Sequence, residues 1–392
     1  MSKPYHIVFT TIFRPAVLET LYSNISAHGH LADTKVWVVG DRKTPESARV
    51  LAEKVSKRGL ETVYMDIPFQ EEWGKQYPEL YSRIPYDNET RRNFGYLATL
   101  EDGCKTLISM DDDNFPTDDD FIGGHARTGS VLAGSVLTEK SGFHNVCEYL
   151  AFKPARAIFP RGYPFNLRGT KNAARRMPVP NGARLGVTTG LWLCDPDIDA
   201  TTWLNGKVES VRFAGKDSVA LAQTTWTPLN TQNTSVVREL IPAYLCIPMG
   251  WAVPGGKLER YGDIWGGYFL QALIQGTKYH VSFGRPIVRH RRNPHSYSDD
   301  LRHEFWGLML TDWLITELRE KFKPKKSDIL GRVGELAHFL AESADNLPSW
   351  CPNELKEFFS YTGETVACWK NACELANKKS GANAAAPENL RV

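Results

Sequence analysis

The chain has 392 residues, 42% of them hydrophobic and 11% aromatic, with 47 basic against 45 acidic side chains and a formal charge of +2. So small an excess excludes a global electrostatic pull toward nucleic acid or an anionic membrane, and partners must be read from local sites. The length exceeds the usual single domain, so one large domain with an added region is expected.

The opening stretch "MSKPYHIVFTTIFRP" has neither the apolar run nor the small-residue cleavage site of a secretory signal. The longest apolar stretch, "LIPAYLCIPMGWAVPGG", is broken by prolines and too short to span a bilayer. A soluble, cytoplasmic protein without a membrane span is the expectation. The seven cysteines, scattered from Cys104 to Cys373 without C-x-x-C spacing, read as reduced thiols rather than a disulfide framework or a zinc site.

Along residues 1–115 two periods alternate. The β-rich runs "HIVFTTI", "VWVVGD", "ETVYMDI" and "TLISMD" are separated by the helical stretches "PAVLETLYSNIS", "TPESARVLAEKVSKRG" and "NETRRNFGYLATLEDG". Thr44 and Asn88 stand where helix N-caps belong, with Pro45 at a first helical position. Strands alternating with helices predict an α/β fold whose parallel strands are joined by right-handed crossovers. Ligands of such sheets bind at the carboxyl ends of the strands, where Thr10, Thr11, Arg14, Asp41 and Asp111 fall.

At the fourth strand end, "ISMDDDNFPTDDDF" crowds six aspartates into ten positions. Asp111 and Asp113, alternate residues at a strand end, point to one side and are suited to grip a hard divalent cation, Mn²⁺ or Mg²⁺, with water and phosphate completing the shell. Asp118 to Asp120 precede "FIGGH" and read as a solvated helix start, where acidic side chains suit the helix dipole. No G-x-x-x-x-G-K-[ST] loop or G-x-G-x-x-G turn occurs, so neither a P-loop nor a dinucleotide fingerprint is present.

Residues 151–300 are rich in Gly, Pro, Trp and Arg with short regular runs, the pattern of loops that carry a binding surface. From 301 to 378 apolar residues recur at three and four, predicting helices packed on the preceding domain, and 379–392 read as a disordered tail.

The series "ISMDDDN", "FPRGYPFNLRG", "GLWLCDPDIDATT", "ERYGDIWGGY" and "PIVRHRRNPH" resembles, in that order, the motifs of the reversibly glycosylated polypeptides, the family that includes UDP-arabinopyranose mutases. "PYDNETRRNFGYL" ahead of the aspartates is similar to a wider set of GT-A glycosyltransferase-like domains. The resemblance implies a GT-A-like mixed sheet flanked by helices, a UDP-sugar substrate, Mn²⁺ or Mg²⁺, and pyranose–furanose interconversion accompanied by reversible glycosylation of an arginine. It places that arginine at Arg161, a second arginine at Arg168, a carboxylate at Asp263, and metal ligands at Asp111, Asp113 and His290 with Asp112 beside them. Arg92 aligns with a family arginine and is expected to reach the diphosphate, whereas Arg91 reads as surface. Asp41 is expected to accept a hydrogen bond from ribose or base, and Trp192 to pack against the sugar.

Each assignment has a plainer counterpart: a helix N-cap for Asp263, a turn for Asp41, core packing for Trp192, a salt bridge for Arg161. Gly262 stands where the family carries the first of two aspartates, and Ile198 where an aromatic is common. The functional expectation is a metal-dependent UDP-sugar mutase. Its alternatives are a glycosyltransferase that moves sugar to an acceptor and a non-catalytic nucleotide-sugar-binding subunit, with homo-oligomerisation left open.

Overall fold

The computed structural model describes residues 2–170, 173–215, 218–294 and 296–385. The first third builds β1 (Tyr5–Thr11), α1 (Val17–Ala27), β2 (Thr34–Gly40), α2 (Ser47–Lys57), β3 (Glu61–Met65), α3 (Ile67–Gly74), α4 (Pro78–Tyr81), α5 (Arg92–Asp102) and β4 (Thr106–Met110). All four expected strands form, because each is a β-branched or aromatic run whose residues fill the space beneath the helices. Asn88 caps the 3-10 turn Glu89–Arg91 that leads into α5, accepting from Thr90 N at 3.0 Å. At the other end of α5, Gly103 takes a left-handed φ of +85° that only glycine adopts freely, and its N–H returns to Thr99 O.

Thr44 departs from its expected cap. The cap position of α2 is Glu46, and the Thr44 hydroxyl instead accepts from Asp41 N at 2.7 Å and donates to Thr11 O at 2.7 Å. It thereby ties the ends of β1 and β2 together.

The remaining chain adds β5 (Asn114–Pro116), α6 (Phe121–His125), β6 (Ser135–Thr138), β7 (Leu150–Lys153), β8 (Arg175–Pro178), β9 (Arg184–Cys194), α7 (Ala200–Leu204), β10 (Glu209–Phe213), β11 (Val219–Ala220) and β12 (Asn233–Val237). Beyond it come β13 (Trp251–Val253), β14 (Gly256–Leu258), α8 (Gly262–Leu273), β15 (Tyr279–His290), α9 (Tyr297–Glu320), α10 (Ile329–Ser343) and α11 (Asn353–Ala385). The main sheet has 11 strands, in the order β11-β15-β9-β12-β4-β1-β2-β3 with β5, β7 and β10 at its margin. β1 to β4 are mutually parallel, β9 and β15 are parallel to each other, and β12 runs antiparallel between β9 and β4. This is the mixed sheet flanked by helices that was expected.

Residues 151–300 are more regular than their composition predicts, since β9 and β15, the two longest strands, lie there. Their glycines mark close crossings rather than loops: a Cβ at Gly190 would stand 2.3 Å from Asn233 Nδ2. The expected boundary at residue 300 falls inside α9, and one apolar core runs from Ile7 to Ala376, taking in all three C-terminal helices. The helix α11 continues through Ala385, beyond the expected start of a tail at 379, and residues 386–392 lie outside the described residues. No described helix is long and apolar enough to cross a membrane, and all seven cysteines are free thiols.

Candidate active site

Because β1, β2 and β4 run the same way in register, Thr11 lies beside Gly40 and Val8 beside Ser109, so their carboxyl ends finish at one edge. A cavity of about 290 Å³ opens there. Thr10, Asp41, Arg92 and the triplet Asp111 to Asp113 line it, as the sequence suggests, together with Thr11, Asn88, Glu89 and Arg91.

The triplet is half-buried, and each carboxylate is held differently. Asp111 Oδ1 accepts from Arg92 Nη2 at 2.7 Å, and Asp112 Oδ2 accepts from Thr11 Oγ1 at 2.5 Å. Asp113 Oδ2 faces His290 Nε2 at 3.4 Å. Burial pushes the Asp112 carboxyl up to about 6, with its two acidic neighbours adding to the rise against the Thr11 hydrogen bond. Burial also raises Asp111, where the Arg92 cation pulls down and Asp113 pushes up. For Asp113 burial is outweighed by His290, which holds the carboxyl low. Burial by itself would lower His290, yet the hydrogen bond and charge of Asp113 prevail and raise it.

His290 is oriented by its other ring nitrogen. Nδ1 donates to Asp195 O at 2.7 Å, which leaves Nε2 turned toward Asp113. A backbone carbonyl that fixes the tautomer is the usual support of a metal-ligating histidine. Among the described residues no three His, Cys, Asp or Glu side chains converge closely enough to hold a metal ion by themselves. Asp113 faces the oriented His290 while Asp111 is held by Arg92, so these side chains could supply only part of a shell. That fits Mn²⁺ or Mg²⁺, which keep several water or phosphate oxygens.

Arg161 is buried, 6% exposed. Its Nε and Nη2 donate to Asp197 Oδ1 and Oδ2 at 2.9 and 3.3 Å, and its Nη1 and Nη2 donate to Asp263 Oδ1 and Oδ2 at 3.2 and 3.0 Å. The fifth N–H is taken by Arg260 O. That carbonyl is aimed inward by a left-handed φ of +63° at Arg260, a conformation costly for a residue with a side chain. Burial would lower the Arg161 pKa, but the two aspartates raise it well above the ordinary value and keep the guanidinium charged. Asp263 is thus the partner of Arg161 within the first turn of α8, not its N-cap, which is Tyr261.

These groups are linked electrostatically. Arg92 holds Asp111, Asp111 and Asp113 repel, His290 pairs with Asp113 and senses Asp197, and Arg161 joins Asp197 to Asp263. Glu89, at the cavity, is within electrostatic reach of Asp263, Arg92, Arg161 and Asp111.

The other predicted residues stand apart. Trp192 is 2% exposed in the sheet core, opposite Val288, because β9 is covered on both faces. Arg14 is exposed on the turn after β1, and Ile12 and Phe13 line the cavity in its place. Arg168 clamps a carboxylate, but a protein one: Nη2 donates to Asp199 Oδ2 at 2.6 Å while the guanidinium stacks on Phe165. Asp41 lines the cavity and also serves its turn, accepting from Arg42 N and Asn88 N.

Arg91 corrects the surface reading. It is 1% exposed, donates from Nε to Gln70 Oε1 at 2.8 Å, and lies over the Tyr86 ring at 4.3 Å. Three further residues went unread as site members: Glu89, Asp197 and Asn230, whose Nδ2 donates to Asp197 Oδ2 at 2.8 Å. Asp197 lay within the motif "CDPDIDATT" and Glu89 within "PYDNETRRNFGYL", while Asn230 lay in neither.

Gly262 has a packing reason. A Cβ there would stand 2.3 Å from Ile247 O, so the family's first aspartate has no room where α8 meets this segment.

Comparison with known proteins agrees with the motif series. The chain is 26% identical over 315 residues to UDP-arabinopyranose mutase 3 of Arabidopsis thaliana, covering 78% of this chain and 77% of that protein. It is 25% identical over 284 residues to UDP-arabinopyranose mutase 1 of Oryza sativa subsp. japonica, covering 69% and 72%. Among solved structures, glucosyl-3-phosphoglycerate synthase from Mycobacterium tuberculosis aligns over 79% of each chain with a TM-score of 0.38 and 12% identity. The family model of the reversibly glycosylated polypeptides matches residues 70–328, and the chain belongs to that family.

Proposed function

We propose that the protein is a divalent-cation-dependent UDP-sugar mutase on a GT-A-type frame, interconverting the pyranose and furanose forms of UDP-arabinose or a related UDP-sugar. Family membership and the two plant mutases support the reaction class. The observation that carries the reading is the pairing of Asp113 with His290 beside the Arg92-braced Asp111, with the Arg161–Asp197–Asp263 cluster in electrostatic reach of His290 through Asp197. It sets a cation-holding edge beside a fixed guanidinium, at the strand ends where a nucleotide-sugar would lie.

The reaction breaks the bond from the anomeric carbon to UDP, exchanges the ring oxygen, and rejoins UDP. In arabinose the C4 hydroxyl oxygen displaces the C5 oxygen at C1, and the proton leaving the first ends on the second. When bound, Mn²⁺ or Mg²⁺ supplies positive charge against which UDP departs. The protein's own contribution is positioning. Arg92 steadies Asp111, Asp195 O steadies His290, and Thr10, Asp41 and Asn88 face the nucleoside end. Arg161 sets a positive charge near the anomeric centre, with Asp197 and Asp263 at hand to take a proton if a guanidinium nitrogen adds to that carbon.

The test is incubation with UDP-arabinopyranose and Mn²⁺, separating UDP-arabinofuranose, free UDP and sugar-labelled protein. Furanose product that disappears with chelator is expected. Transfer of sugar to an added acceptor without any furanose product would replace the mutase reading with a glycosyltransferase.

A further inference from the structure

Of the carboxylates that line the cavity, Asp87 pairs with Arg42, Asp41 serves its turn and Asp111 to Asp113 form the proposed metal edge, whereas Glu89 has no such use. It sits on a turn clamped from several sides. Asn88 N donates to Asp41 Oδ2 at 3.2 Å, Asn88 Nδ2 donates to Met249 O at 3.2 Å, and Asn88 Oδ1 accepts from Thr90 N. Arg92 Nε donates to the backbone carbonyl of Glu89 itself at 3.2 Å. The backbone is therefore fixed, while the side chain is exposed to the cavity. Among the described residues its carboxylate makes no hydrogen bond and no ion pair, although Arg92 and Arg161 are both within electrostatic reach. Those two cations are already taken up by Asp111, and by Asp197 and Asp263.

A carboxylate without a partner, held among other carboxylates, does not serve the fold. Nor does it suit a diphosphate, which it would repel. What it can engage is a set of neutral hydroxyl donors. It lines the same cavity as Asp111 to Asp113, and Asp111, Asp263 and Arg161 are among its electrostatic neighbours. On the mutase reading this cavity holds the UDP-sugar, and the inference rests on that reading.

We propose that Glu89 accepts hydrogen bonds from hydroxyl groups of the sugar and sets which UDP-sugar the site accepts. Hydroxyl groups donating to an ionised carboxylate form charge-assisted bonds, stronger than neutral ones and sensitive to hydroxyl stereochemistry.

Glu89→Gln keeps the size and removes the charge; Glu89→Ala removes both. The probes are UDP, UDP-arabinopyranose and its C4 epimer UDP-xylose, each titrated with Mn²⁺ against wild type and both variants. We expect UDP to bind the variants as tightly as wild type or more tightly, since a repelling charge is lost. UDP-arabinopyranose should weaken by about 10- to 100-fold, the worth of a charge-assisted hydrogen bond, and the preference between the epimers should collapse toward unity. Equal weakening of UDP and UDP-sugar, or an unchanged epimer preference in Glu89→Ala, would overturn the assignment. Loss of Mn²⁺ affinity in Glu89→Gln would overturn it in favour of a metal ligand. If wild type binds UDP but neither UDP-sugar, the mutase reading falls and takes this role with it. Sugar binding by wild type with indifferent variants sinks the role of Glu89 alone.

Discussion

His290 Nε2 stands 3.4 Å from Asp113 Oδ2 while its Nδ1 is spent on Asp195 O. The imidazole therefore has one direction left in which to act, and Asp113 shares it. Asp111, from the same strand end, is braced separately by Arg92.

From this follows the first prediction. Asp111→Asn and Asp113→Asn each remove a hard anionic ligand while keeping the shape, so Mn²⁺-dependent turnover should fall by at least a hundredfold. Circular dichroism should show the fold retained, because both residues are half-buried at a cavity edge rather than in the core. Full activity of either variant in the presence of chelator would show that the strand end holds no cation.

The second acidic cluster should behave otherwise. Asp120 caps α6, accepting from Gly123 N at 2.8 Å, and His30 Nε2 lies 3.1 Å from its Oδ2. Changing Asp118, Asp119 and Asp120 together to Asn should leave metal dependence intact. The change should lower stability by roughly 1 kcal/mol through the weakened cap and dipole contacts. Loss of metal binding in that variant would mean that the wrong aspartates had been assigned.

How much of this was legible in sequence depended on whether a residue's partner lay nearby in the chain. β1 to β4 and the acid triplet were readable because a local period, or a run of like charges, announces itself. Asn88 was readable as a cap because its acceptor role is satisfied two residues on. Glu89, next to it, was not, since nothing local marks a carboxylate whose significance comes from Asp263 and Asp111 across the fold. Arg91 looked like surface beside Arg92 because a paired arginine on a helix usually is. An aromatic enclosure of Tyr81, Tyr86 and Phe94 draws it inside. Trp192 failed in the opposite way: an aromatic in a recognisable motif looked functional, yet a strand covered on both faces has no solvent side to offer. The motif series carried Arg161, but its double aspartate clamp needed the meeting of three separate segments.

A third prediction concerns pH and stability away from the cavity. His125 is fully buried, with Nε2 and Nδ1 each 2.9 Å from Asn233 Oδ1 and Ser235 Oγ. Burial pushes its pKa down to about 4 against the hydrogen bond it donates to Asn233, compared with 6.5 for the free side chain. The unfolded chain therefore binds a proton between those values where the folded chain does not. Stability from this residue is fully present above pH 6.5 and is lost as pH falls toward 4, by roughly 3 kcal/mol in total. Urea unfolding at pH 7 and pH 4.5 should show that His125→Gln, weaker at pH 7, loses roughly 2–3 kcal/mol less than wild type on acidification. Equal losses would mean that the folded protein protonates His125 as readily as the unfolded chain does.

The last prediction concerns Arg161, where family and local chemistry pull in different directions. The motif resemblance suggests that Arg161 is the glycosylated residue, whereas the structure gives all five of its N–H groups acceptors and keeps the cation protonated. For a guanidinium nitrogen to bond the anomeric carbon, one of those hydrogen bonds must open and a proton must pass to Asp197 or Asp263. Labelled UDP-sugar should then leave label on a peptide containing Arg161, and excess UDP should remove it. Arg161→Lys keeps a positive charge but cannot bridge both aspartates through a planar fork. If Arg161 acts covalently, that variant carries no label and makes no furanose product while still binding UDP. If it acts only as a cation, partial activity survives. Arg168→Lys is the control: its guanidinium is occupied by Asp199 and stacked on Phe165, so the change should lower stability and leave labelling in place. Turnover by Arg161→Lys at the wild-type rate would reduce the Asp197–Arg161–Asp263 cluster to a structural salt bridge.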